Sequence, residues 1–204
     1  MLQRSKRSSI LLVLIALAAA ASASSHSAAS AGDDVPAWLR QSAALSAPAY
    51  EKDVPAVVLH DESTVTVGDD GRITTVNTFA VRILTREGRA YADAIEHYDT
   101  GSGGKVREMR AWLLRPDGSV KKYGKDETLD VAKDLDDLYS ETRQRVITAG
   151  DDADVGAVFG YQSVTEKHPF FPQSIWMFQD RLPTLVSRYT MTLPAGWRAS
   201  SVIV

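Results

Sequence analysis

The sequence predicts an all-β fold, mainly antiparallel strands in a β-sandwich or layered sheets, with one or two short helices. Three observations carry that expectation. The Asp-Gly pairs at Asp70-Gly71 and Asp117-Gly118 each sit between runs of β-branched and aromatic residues, the strongest hairpin signal in a short stretch of chain. Residues 78–83 alternate with period two, Phe79, Val81 and Ile83 on one face and Thr78, Ala80 and Arg82 on the other. Turn residues recur often enough to separate about eight to ten short strands. No internal repeat at a period of roughly 20–50 residues is present.

Taken in order, the chain opens with a targeting pattern. Arg4, Lys6 and Arg7 precede an apolar run from Ile10 to Ala21, and Ala21-Ser22-Ala23 supplies small residues for cleavage. Residues 1–23 therefore read as a signal peptide, and the apolar run is too short for a stable membrane span. Its loss would move the formal charge from −3 to −6. The mature product is expected to be exported, periplasmic or secreted. Residues 24–35 are Ser/Ala-rich and read as a disordered spacer. Asp33-Asp34 are placed to cap a short helix with Pro36 in its first turn, running to about Leu45, with Trp38 and Leu39 pinning it to a sheet.

Two hairpins in series follow. The first pairs residues 57–67 with 72–84 around Gly68-Asp69-Asp70-Gly71, and the second pairs 106–114 with 119–123 around Arg115-Pro116-Asp117-Gly118. Pro116 presets the turn and cannot extend the strand before it. Between them, residues 89–93 are ambiguous and 94–98 read as extended. Residues 106–114 carry apolar groups on both faces, Met109, Ala111 and Leu113 against Trp112 and Leu114, which marks an internal strand. Residues 126–137 suggest a helical turn or two. Further strands are expected at 142–147, 158–164, 176–178 and 187–193.

Composition narrows function by exclusion. Apolar content of 44% and charged content of 24% are ordinary for a globular chain. A net charge of −3 with interleaved basic residues gives no stripe for nucleic acid. The absence of cysteine excludes disulfides, thiolate metal sites and a Cys nucleophile within these 204 residues.

No stretch carries a specific chemical motif, so no catalytic, cofactor-binding or metal residues are assigned. Gly101-Ser102-Gly103-Gly104-Lys105 resembles a phosphate loop only superficially, since Asp99 stands at the required first Gly and Val106 follows the Lys. Residues 151–156 fail the EF-hand spacing, and Asp134, Asp136 and Asp137 read as solvated acids. His26, His60, His97 and His168 are dispersed without metal-ligand spacing. Asp61 and Glu62 are chemically able to form an acid–base pair, yet nothing distinguishes them among 26 acids. No Gly-x-Ser-x-Gly elbow occurs. Trp112, Trp176, Phe178 and Trp197 are mostly core candidates, with Trp176 to Asp180 also able to line a groove.

The order of blocks is more informative than any one of them. An Ala37-Trp38-Leu39 helix leads to Val57-Val58-Leu59-His60-Asp61-Glu62, then Arg82-Ile83-Leu84-Thr85-Arg86-Glu87-Gly88. Ala111-Trp112-Leu113-Leu114-Arg115-Pro116-Asp117-Gly118, Tyr139-Ser140-Glu141-Thr142-Arg143 and Trp176-Met177-Phe178-Gln179-Asp180-Arg181-Leu182-Pro183 complete the set. Over residues 36–204 the chain resembles the bacterial domain of unknown function that lies N-terminal to transglutaminase-like domains in exported proteins. The resemblance implies an extracytoplasmic β-rich module placed before a Cys-His-Asp core that these residues do not contain. That family has no established catalytic residues to carry over.

The expectation is a non-catalytic accessory module, with no cofactor, whose partner is a downstream transglutaminase-like domain or an envelope protein or glycan. A hydrolase with a carboxylate or metal site assembled across strands is the alternative. The ending Ser200-Ser201-Val202-Ile203-Val204 has mid-strand composition, so the module is expected to be truncated there. A non-functional fragment would then expose an apolar patch near residues 185–204.

Overall fold

The computed structural model describes residues 35–133, 141–169 and 173–202, and among them nine strands form two sheets. The larger sheet combines β1 (Ala56–Val67), β2 (Ile73–Ile83), β4 (Lys105–Leu114), β5 (Val120–Tyr123), β8 (Val158–Lys167) and β9 (Ser187–Thr192), in the order β5-β4-β8-β2-β1-β9. The smaller sheet is β3 (Asp93–Asp99), β7 (Thr142–Thr148) and β6 (Leu129–Ala132), in the order β3-β7-β6. Both expected hairpins form. Gly71 and Gly118 adopt φ of 78° and 85°, a region that a Cβ disfavours. Asp70 accepts the Arg72 N–H at 3.0 Å and Asp117 the Ser119 N–H at 2.8 Å, so each Asp closes its own turn.

Alternation along the strands separates two cores on opposite faces of the larger sheet. Val81, Ile83, Ala111, Leu113 and Phe159 meet Ala94 and Ile147 of the smaller sheet. Val57, Leu59, Ala80, Trp112 and Val158 meet α1 (Ala37–Ala43) through the fully buried Leu39. Gly160 makes that second contact possible, because a Cβ there would collide with the Leu39 side chain. A bulge in β1 between Val58 and His60 lets Leu59 and His60 both turn toward α1, where the His60 ring lies 5.5 Å from that of Trp38. β9 joins the edge parallel to β1, and the chain leading into it already bonds to β1, with the Val58 N–H donating to the Pro183 carbonyl at 2.9 Å.

Several expectations are corrected. Pro36 is the helix N-cap and bonds through no side chain, while Asp33 and Asp34 lie outside the described residues. Residues 129–132 form β6 instead of helix, because Leu129 and Val131 find ladder partners in β7. Residues 176–178 are not a strand: Trp176 packs on β9 by its ring and joins no ladder. Gly101–Lys105 is not a hairpin loop, since β3 and β4 belong to different sheets and the loop crosses between them. The ambiguous stretch 89–93 divides: residues 89–91 belong to a 3₁₀ turn, Glu87–Tyr91, and Asp93 opens β3. Gly88 there has no room for a Cβ against the Pro55 backbone.

Candidate functional site

The richest group of polar side chains lies on the face of the larger sheet that meets the smaller one. Asp61, Phe79 and Tyr161 are in register across β1, β2 and β8, and Ser63, Asn77 and Ser163 form the row two residues along. From β3, Glu96 reaches into this second row. Its Oε1 accepts from Asn77 Nδ2 at 3.0 Å and from Ser163 Oγ at 2.5 Å. Only 8% of Glu96 is exposed. Burial raises its pKa, and the bonds from Ser163 and Asn77 offset part of that rise. Asp61 is pushed up from 3.8 to about 6 by burial alone. Burial, and then the charges of Glu96 and Asp61, raise the Tyr161 phenol, which stays protonated.

Trp176 covers the same face of β9. Its Nε1 donates to Ser187 Oγ at 3.1 Å, and its ring lies 5.6 Å from Tyr189. Ser187 and Tyr189 are the register partners of Asp61 and Ser63. The result is a seam with two carboxyl groups whose pKa burial raises, a neutral phenol and an indole beside it. Asp61 is the half-buried member; Glu96 is enclosed, with its bonds directed inward.

Strand alternation sends Glu62 to the other face, so Asp61 and Glu62 do not form a pair. Glu62 accepts from Arg188 Nη1 at 3.0 Å and lies 3.5 Å from His60 Nε2. His60 also lies 3.1 Å from Thr78 Oγ1. Burial holds its pKa below 6.5, against the opposing pull of Glu62, so at neutral pH the ring is uncharged.

With this geometry in hand, comparison with known proteins places the chain. Residues 69–201 match the family described as "Domain of Unknown Function with solved-structure structure" (DUF3857). The chain belongs to this family. The DUF3857 module is also similar to a crystal structure described as "a putative protease" from Parabacteroides distasonis ATCC 8503. Identity is 15% and the TM-score 0.57, over 70% of this chain and 29% of that one. This chain therefore spans less than a third of that protein's length, and the likeness shows the fold alone. No curated protein matches it.

Other residues considered from sequence fall in separate places on the DUF3857 module. His97 is exposed on β3, and His168 Nε2 donates to the Asp70 carbonyl at 2.7 Å, tying β8 to the first turn. His26, Asp134, Asp136 and Asp137 lie outside the described residues. In the loop 99–105, Asp99 Oδ1 accepts from the Gly101 N–H at 2.8 Å. Asp152, in the acidic loop, accepts from Lys121 Nζ at 2.6 Å and Tyr123 Oη at 2.8 Å, which holds its carboxyl low. Among the described residues no three His, Asp or Glu side chains are grouped to hold a metal. No helix there is long and apolar enough to cross a membrane.

Two groups were invisible to sequence reasoning. Glu96 is one, since its partners lie 19 and 67 positions away. The other is Asp130, which binds Tyr98 Oη at 2.7 Å, Arg143 Nε at 2.9 Å and Arg145 Nε at 3.1 Å. Burial opposes the charge on Asp130, but those three bonds win and keep its carboxyl low.

The aromatic residues divide. Trp112 is core, as expected. Phe178 at 64% exposure and Trp197 at 47% are not. Phe178 belongs to a strap, residues 173–182, that is anchored by Trp176 and leaves Ile175 83% and Met177 61% exposed. Met191 on β9 is exposed close to that anchor.

Proposed function

We propose that this chain is an accessory module of an exported protein. It docks through the strap and the outer side of β9 onto a transglutaminase-like or peptidase-like domain of the same polypeptide, and so fixes how that domain meets its substrate. One observation carries the reading: Ile175, Met177, Phe178 and Met191 leave large apolar surface in water beside a sheet edge. Large apolar side chains left in water in one region favour an interface, and the edge strand adds backbone groups to pair.

Two further features support it. The similar Parabacteroides protein carries most of its length beyond the matched part. The pattern of residues 1–23 supports export.

The test is hydrogen exchange on this chain alone and on this chain joined to the transglutaminase-like or peptidase-like domain that the reading places in the same polypeptide. The reading predicts slower exchange at residues 175–192 in the longer form. Unchanged exchange there, or a reading frame that ends at Val204, would overturn it.

The pKa of Asp61 favours a second reading, a carboxylate hydrolase working from the half-buried end of the seam. Under that reading Asp61→Asn abolishes a hydrolytic activity that the purified chain displays.

A further inference from the structure

Between α1 and the β4–β5 hairpin, on the side of the larger sheet away from the seam, lies a cavity of about 370 Å³. That size suits a small organic molecule. Arg40, Arg82 and Arg115 line it, from α1, β2 and the hairpin turn, and no acidic residue does among the described residues. Its floor includes Leu114 and Val158, which belong to the apolar cluster under α1. We propose that this cavity binds an amphipathic organic carboxylate, its charge on Arg82 and Arg115 and its aliphatic body on the Leu114–Val158 floor.

The guanidinium of Arg82 is already positioned. Nη1 donates to the Leu45 carbonyl at 3.1 Å and Nη2 to the Ala43 carbonyl at 2.7 Å, at and just beyond the C-terminal end of α1. Those bonds use part of a five-donor fork and leave donors for a carboxylate. Arg115 is held loosely, its Nη2 3.9 Å from Asp152 Oδ1. The Asp152 charge is mostly committed to Lys121 and Tyr123. Asp117 stands in the same turn, but its Oδ1 accepts from the Ser119 N–H. Cations gathered on an apolar floor favour an anion, and the low local dielectric strengthens the attraction.

The body of the ligand follows from what the walls lack. The Gly118 and Gly156 N–H groups already donate to the Arg115 and Ile83 carbonyls. A peptide would bring amides into the cavity without such partners, whereas an aliphatic chain brings none. A phosphate would bring a second charge onto the apolar floor, a heavier desolvation cost than a carboxylate carries.

Octanoate is the probe, titrated into the full chain and followed by isotope-edited NMR, with octanol and inorganic phosphate as separate arms. The proposal expects saturable shifts at Leu114 and Val120. Octanol and phosphate should each bind at least about tenfold more weakly, because each lacks one half of the recognition. Arg115→Gln should weaken octanoate by about tenfold or more, the loss of one charge-assisted bond. Val120→Glu, at an exposed wall position, should abolish binding by repulsion while the thermal melt stays unchanged. Equal binding of octanol would reduce the site to an apolar crevice, and equal binding of phosphate to an adventitious anion only. Either result overturns the proposal, as does an unchanged affinity in both variants or no response to octanoate.

Discussion

Replacing Asp61 by Asn should stabilise the chain at alkaline pH and leave it almost unchanged near pH 4. Burial raises the folded-state pKa of Asp61 from 3.8 to about 6. Between those values the folded state holds a proton that the unfolded state has released. Stability from this group therefore falls as pH rises through the window and is flat above it. The separation would be worth about 3 kcal/mol for a group wholly removed from water. Asp61 is only half-buried, and solvent screening reduces the figure to roughly 1–2 kcal/mol. Asn keeps the shape and a hydrogen-bonding head but never ionises. Urea unfolding followed by tryptophan fluorescence, at pH 4 and pH 8 for both proteins, measures the difference. The reasoning predicts that the advantage of Asp61→Asn grows by about 1–2 kcal/mol between the two pH values. An equal effect at both pH values, or a variant less stable than the parent at pH 8, would refute it.

The contact between α1 and the sheet yields a coupled prediction. Leu39→Ala should cost about 2–5 kcal/mol as a cavity opens under the helix, and Gly160→Ala about 1–3 kcal/mol by overpacking against Leu39. The double variant, read in the same urea assay, should cost less than the sum, because the shortened side chain on α1 makes room for the new Cβ on β8. Glu96→Leu should cost about 1–3 kcal/mol by stranding Asn77 Nδ2 and Ser163 Oγ between the sheets. Glu96→Gln, which can still accept both bonds, should cost clearly less.

Local chemistry made much of the fold legible. Asp-Gly turns, the alternation of Phe79, Val81 and Ile83, and a helix carrying Leu39 all act within a few residues, and each is found where the pattern puts it. Elements whose character depends on distant partners were not legible. Leu129-Asp130-Val131-Ala132 is too short and too charged to announce a strand, yet β7 supplies the ladder and Arg143 and Arg145 balance Asp130. Trp176-Met177-Phe178 has strand composition, but its partner is the face of β9, reached by the Trp176 ring.

The seam was hidden for the same reason. Asp61 and Glu62 look like a pair in the sequence, but alternation assigns them to opposite faces. Glu96 joins the row beside Asp61, brought over the larger sheet by a strand of the other one. The arginine-lined cavity likewise joins a helix, a central strand and a turn that lie far apart along the chain. In each case, the sequence states the side chain while the topology decides its neighbours.

The proposed function makes the strap and β9 an interface. Hydrogen exchange at residues 175–192, compared between this chain alone and this chain joined to the domain proposed to share its polypeptide, decides whether they are. Strong added protection is expected there, with little change in the β1–β2 turn at residues 68–71. Identical exchange at 175–192 in both forms would contradict it.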